Sequence, residues 1–290
     1  MENTRAINLV DRVVDLASLP DVCIQINEMV DDATSSANDM ANTIMTDASL
    51  TGRLLKVANS SFYRFPSKID TVSRAITIIG TRELRCLVLA TSAVKSFDRL
   101  PNHICDMAGF WRHSVYCGVI SRLLAARCNV LHKERLFVSG LLHDVGHLVM
   151  YNVIPDLVQV MHYHAETADI PLYLAERDVY DTDHGEVGYE LLTKWSLPES
   201  ITEVVAYHHE PSRADKFALE TSIVHIANSL AVLAELGSYN ENEAPAIDDC
   251  AWELTGLSSD VIEPVLQEAR AQFLEALLMF LPGAAAAQQG

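Results

Sequence analysis

The chain has 290 residues, 49% of them hydrophobic, with 12 Gly and 10 Pro, so it can bury a sizeable core and lacks a disordered composition. Against 21 Lys and Arg stand 39 Asp and Glu, a formal net charge of −18. That field repels phosphate backbones and anionic membrane surfaces, and no basic run overrides it, so direct nucleic-acid and membrane binding are not expected. The cysteines Cys23, Cys86, Cys105, Cys117, Cys128 and Cys250 form no CxxC pair. The start, MENTRAINLV, lacks the basic flank and apolar core of a secretory signal. No run of about 18 uninterrupted apolar residues occurs. A reduced, cytoplasmic protein is expected.

Helical periodicity dominates in chain order. Pro20 opens a helix over 20–31 with Val22, Ile26, Met29 and Val30 on one side. The stretch SSANDMANTIMTDASLTGRLLKVANSS predicts two short helices, the second capped by Asp47 or Ser49 and carrying Leu50, Leu54, Leu55 and Ala58. The loop RFPSKID, with Pro66 as breaker, leads to a helix over 71–79 that Gly80 stops, and Thr81 caps the next. DRLPNH, at 98–103, marks a soft boundary. Long helices are predicted over Phe110–Cys128 and over 132–151, the latter containing GLLHDVGHLVM. Pro155, Pro171 and Pro198 punctuate further helices, and Glu220–Leu236 forms another. SYNENEAPAIDD reads as a surface loop before a last helical stretch, Ser258–Leu281, and a fraying tail AAAAQQG. No strand alternation of useful length occurs. The expectation is an all-α protein with helical subdomains at 1–100 and 101–237, followed by loop, helix and tail at 238–290.

All 11 histidines lie between residues 103 and 225. Three local patterns stand out. His143 and Asp144 adjoin, with His147 a turn later; His208 and His209 adjoin; His113 sits mid-helix and His184 opens a helix. Burying such groups among Leu141, Leu142, Val145 and Leu148 is costly unless something satisfies them. Imidazole nitrogens and a carboxylate suit Fe, Mn, Zn or Ni, and one carboxylate can bridge two ions. The residues alone leave two alternatives open, a shared metal site and a hydrogen-bonded core network.

The order His113, His143-Asp144, His184, His208-His209 resembles the HD superfamily of metal-dependent phosphohydrolases, including the HD-GYP cyclic-di-GMP phosphodiesterases. The N-terminal half is similar to the HDOD domain, the HD-related output domain. The matching features are Ser18-Leu19-Pro20, the D-x-x-L-T-x-x-L-L run from Asp47 to Leu55, the triplet Ala58-Asn59-Ser60, and Ala75, Ile76 and Gly80. The likeness runs from about residue 9 to about 237. It implies an all-α fold with an HD-type second bundle, and a bacterial signalling or regulatory output role. Its partner would be a regulatory or signalling protein or a small nucleotide ligand, within a two-component response regulator where such domains follow receivers. Most members are held to lack hydrolase activity.

Carried over by residue, the resemblance implies that His113, His143, Asp144, His184, His208 and His209 would hold one or two divalent ions. His143 and Asp144 would be the catalytic pair if the protein turned over a substrate. The alternative it implies is a metal-dependent phosphohydrolase or phosphodiesterase acting on a nucleotide or cyclic dinucleotide. A third alternative is a switch in which metal occupancy is itself the signal. Three departures count against catalysis. Asn228 stands where the final motif aspartate belongs, His147 replaces the HD-GYP lysine, and HHEPSRADKF lacks the glycine-tyrosine-proline signature. Gly109 stands where three-metal members carry glutamate, so a third metal is not expected. Tyr116, Trp111 and Trp195 are read as core, and Asn59 and Ser60 as structural.

Overall fold

Every regular element in the computed structural model is helical, with no strand among the described residues, which are 3–13, 20–32, 34–60, 68–97 and 105–280. Ser18, Leu19, Pro66, the DRLPNH boundary and the AAAAQQG tail lie outside them. In chain order the first helices are α1 (Thr4–Val13), α2 (Asp21–Asp31), α3 (Ala37–Met45), α4 (Ala48–Ala58), α5 (Val72–Ile79) and α6 (Thr81–Ser96). Then come α7 (Met107–Arg127), α8 (Lys133–Leu142), α9 (Val145–Val153), α10 (Pro155–Ala168) and α11 (Leu172–Tyr180). The last are α12 (His184–Lys194), α13 (Glu199–Tyr207), α14 (Ala218–Leu236), α15 (Asp249–Thr255) and α16 (Ile262–Phe280).

The chain divides into two compact units, residues 1–17 with 99–270, and residues 18–98 with 271–290. This grouping runs differently from the expected split at 100 and 237. The cause is packing: α1 lies on α9 and α12 and buries Ala6, Leu9, Val10 and Val13. The stretch expected as loop, helix and tail also holds α15, ahead of the expected helix, and it packs on α14.

Within the smaller unit, capping fixes the helix starts. Ser36 and Asp39 form a reciprocal capping box on α3. Asp47, not Ser49, caps α4 by accepting from the Leu50 N–H at 3.0 Å. Thr81 is not a cap. Gly80 occupies that position at φ 94°, a conformation side chains rarely adopt, and so ends α5 and begins α6 in one residue. Asn59 bridges α4 to the segment before α5. Its amide donates to the Leu55 and Ile69 carbonyls at 2.7 and 2.6 Å and accepts from the Ile69 N–H at 2.7 Å. That is a structural role, beside a small core of Ala58, Ile69 and Ala75.

In the larger unit α7, α8 and α14 pack side by side, with α13 against α8, α12 and α14. Trp111 and Trp195 are buried in it, as expected, while Tyr116 is half-buried. α14 is long and apolar enough by composition to cross a membrane, yet 67% of that stretch is buried, because it supplies core to this unit. The predicted helix over 132–151 breaks. Residues His143 and Asp144 separate α8 from α9, with Asp144 at φ −98° and ψ 8°, off the helical path. Near that break, α9 and α12 approach backbone to backbone. A Cβ on Gly146 would lie 1.9 Å from the His184 carbonyl oxygen and 2.7 Å from the Gly188 nitrogen.

Candidate metal centre

The break between α8 and α9 fixes the chemistry of His143. Its Nδ1 lies 2.8 Å from the Gly140 carbonyl, which only accepts, so Nδ1 carries the proton. In the neutral ring Nε2 is then a bare lone pair. It is fully buried, makes no hydrogen bond, and lies 3.1 Å from Asp144 Oδ2. His208, which follows α13, repeats this local solution. Its Nδ1 donates to the Val205 carbonyl at 2.8 Å, leaving Nε2 3.5 Å from Asp144 Oδ1. His184 opens α12 and donates Nδ1 to Glu176 Oε2 at 2.7 Å. Its Nε2 faces Asp144 Oδ1 at 3.3 Å, His208 Nε2 at 3.4 Å and His209 Nε2 at 2.9 Å.

Ring nitrogens from three segments therefore converge on one carboxylate. Neutral rings in these tautomers have no proton to place between the lone pairs and Asp144, and lone pairs facing one another in a buried site repel. A proton or a cation must separate them. The buried, unpartnered Nε2 of His143 and the all-nitrogen-and-carboxylate donor set fit a divalent transition ion. Two overlapping groups meet at Asp144. Asp144, His184, His208 and His209 form one, and His113, His143 and Asp144 the other, with the ligand atoms of each within 4.8 Å of one another. All six sequence candidates thus come together, and Asp144 is common to both groups.

His113 reaches the centre from α7. Its Nδ1 lies 3.1 Å from Glu235 Oε2 and its Nε2 2.9 Å from Asn228 Oδ1, both on α14. Burial opposes charge on this ring, but Glu235 and Asp144 raise its pKa above the ordinary value. Burial likewise opposes the Asp144 carboxylate, yet His143, His184 and His208 hold its pKa well below the usual range. At His143 and His209 burial dominates and lowers the pKa, which keeps those rings neutral.

Glu176 was not among the sequence candidates. Its carboxylate is buried and uses both oxygens. Oε2 accepts from the His184 ring and from the His184 backbone N–H at 2.9 Å, and Oε1 lies 3.3 Å from His147 Nδ1. The His147 and His184 rings stack at 3.8 Å. His147 therefore faces Glu176 rather than joining the His143 group, because the chain turns between them. Nothing in LYLAERDVY separates Glu176 from a solvated helix face. An anion behind a ligating imidazole fixes its tautomer and raises its basicity. Glu176→Gln is expected to weaken divalent-ion binding on the order of 10- to 100-fold, read by Co(II) titration. Unchanged affinity would show that Glu176 does not orient His184.

The HDOD domain model matches residues 16–211. That is more than half of the chain, and it contains all six candidates. The chain belongs to the HDOD domain family. Asn228 and Glu235, on α14, fall outside the matched span. An HDOD domain protein of unknown function from Geobacter sulfurreducens shares the fold at TM-score 0.68 and 24% identity, covering 94% of this chain and 98% of that one. A Shewanella amazonensis SB2B protein, provisionally assigned as a phosphohydrolase, matches at TM-score 0.71 and 22% identity, covering 94% and 96%. An uncharacterized protein of Treponema pallidum (strain Nichols) is 25% identical over 77% of this chain. The chain spans 43% of that relative's length.

Beside the centre of this HDOD domain lies a cavity of about 820 Å³, lined by His113, Asp144, His147, Tyr151, Asp156 and Glu235 among others. Among the described residues lining it, Arg112 is the one Lys or Arg, and it lies 3.1 Å from Glu235. Burial and the neighbouring His184 push His147 down to about 4 from 6.5. The unfolded ring takes a proton that the folded ring refuses. Stability from this group is therefore full above 6.5 and lost as pH falls toward 4. Urea unfolding of chelator-treated protein between about pH 7 and about pH 4.5 is expected to show this decline, shallower in His147→Leu. An identical slope in that variant would refute it.

Proposed function

We propose that this HDOD domain is a bacterial signalling output module whose HD-type centre holds one or two divalent ions, drawn from Fe, Mn, Zn or Ni. It acts by binding a regulatory protein or a small ligand, without turnover. The observation that carries the metal reading is the buried Nε2 of His143, unpartnered and 3.1 Å from Asp144, within a set of ring nitrogens directed at that carboxylate. When bound, the ion supplies a fixed positive charge that holds the segments carrying His143, His184 and His208-His209 in one arrangement. His113, His143 and Asp144 form one ligand group; Asp144, His184, His208 and His209 form the other.

Two features support the absence of turnover. Asn228 offers a neutral amide oxygen where an aspartate would add charge to the second position. The cavity has no unpaired Lys or Arg among its described lining residues to hold a transferring phosphoryl group, since Arg112 is engaged with Glu235. The second reading is a phosphohydrolase acting on a nucleotide or cyclic dinucleotide, favoured by the cavity opening directly onto His113 and Asp144. We place the protein in the cytoplasm, which the scattered cysteines without a CxxC pair support.

The deciding experiment is elemental analysis of protein purified without chelator, together with bis(p-nitrophenyl) phosphate and a cyclic dinucleotide as substrates, with added Mn(II) or Fe(II). Bound metal without hydrolysis is expected. Hydrolysis that disappears in His143→Ala would overturn the output-module reading in favour of the enzyme. Metal-free, inert protein that takes up no added ion would overturn the metal reading.

A further inference from the structure

One face of α11 contacts the centre through three residues at helical spacing, Tyr173, Glu176 and Arg177. Glu176 holds the His184 ring. The Tyr173 ring stacks on His209 at 4.5 Å and 8°. Arg177 lies over Tyr173, with its guanidinium carbon 5.1 Å from the ring centroid. The same guanidinium makes two charged contacts. Nε lies 2.6 Å from Asp183 Oδ2, and Nη2 lies 2.6 Å from Glu210 Oε2. Asp183 immediately precedes His184 and caps α12, its other oxygen accepting from the Glu186 N–H at 2.9 Å. Glu210 immediately follows His209 and also takes Arg213 at 2.7 Å.

We infer that Arg177 is a positioning residue for the ion held by Asp144, His184, His208 and His209, tying the start of α12 to the end of the paired-histidine segment. The inference rests on the metal reading above. His184 and His209 belong to segments 25 residues apart in the chain, and no helix joins their rings. Their spacing is set from outside, by an arginine whose planar fork reaches an acid next to each of them. Lysine keeps the charge but cannot span both acids with one rigid group. Tyr173 completes the arrangement, since the guanidinium presses the ring that backs His209.

The test uses the full chain, stripped and titrated with Co(II), reading both affinity and visible ligand-field absorption. Arg177→Lys and Arg177→Met are compared with the wild type and with Tyr173→Leu, which removes the ring and leaves all charges. Metal-free melting temperature is measured for each. The expected result is Co(II) affinity lowered on the order of tenfold in Arg177→Lys and further in Arg177→Met, with altered bands. Arg177→Lys, whose charge keeps the fold, should bind more weakly at an almost unchanged melting temperature. Wild-type affinity and bands in both Arg177 variants would overturn the inference, as would binding losses that merely follow the loss in melting temperature. Wild-type protein that takes up no Co(II) would overturn the metal reading and this inference with it. Metal uptake by the wild type with no change in the variants overturns the inference alone.

Discussion

Asp144→Ala is expected to abolish divalent-ion binding at both ligand groups. Oδ1 faces His184 and His208, and Oδ2 faces His143. Asp144 is the only carboxylate in either group, so its loss removes the sole anionic donor from each and leaves neutral imidazoles around two positive charges. A loss of more than about 100-fold in affinity, or roughly 3 kcal/mol, is expected. Asp144→Asn keeps the size and one acceptor oxygen but not the charge, and should fall almost as far. Elemental analysis after purification without chelator reads the result directly. In the stripped protein the variant should also lower the pKa of His184, which burial depresses and the Glu176 and Asp144 carboxylates raise well above the ordinary value. Stoichiometric metal retained in Asp144→Ala would show that this carboxylate does not bridge the two groups.

Gly146→Ala should disrupt the centre without touching a ligand. The added methyl would meet the His184 carbonyl oxygen at 1.9 Å, the Gly188 nitrogen at 2.7 Å and the His184 carbonyl carbon at 2.8 Å. All three are backbone atoms, so no side chain can rotate away, and α9 must move from α12. That motion separates Asp144 from His184. Overpacking of this kind costs about 3 kcal/mol, measured by urea unfolding, and ion affinity should fall with it. Gly52→Ala is the control. It lies in α4 with nothing within 4 Å of the added Cβ, and it should raise stability by up to about 1 kcal/mol. A Gly146→Ala protein of wild-type stability and affinity would mean that the two helices do not depend on this contact.

The all-α fold was legible because helices rest on short-range rules, and the HDOD motif residues were legible through the resemblance to that family. Apolar residues at i, i+3 and i+4, and a capping side chain three residues before the first free N–H, are local in the chain. Asp47 at α4 is one such case. Two Nδ1 anchors of the centre are local as well. The His143 ring finds Gly140 and the His208 ring finds Val205, each three residues back. The break between α8 and α9 was not legible, because the apolar pattern of GLLHDVGHLVM runs through it. Glu176 was missed for a similar reason. An acid on a mixed helix face looks solvated until another helix covers it.

By itself, then, the sequence determined the helical class and most helix starts, since each depends on neighbours within a few residues, and its resemblance to a known family supplied the ligand candidates. The tertiary structure decided where those candidates meet. His113 meets Asn228 and Glu235 across more than a hundred residues, and Gly146 and Gly188 let the backbones of α9 and α12 approach closely. Glu176 sets the His184 tautomer, and Arg177 ties together the acids beside His184 and His209. Whether several bare ring nitrogens share one carboxylate depends on distances of about 3 Å. Helix packing, not residue order, sets those distances.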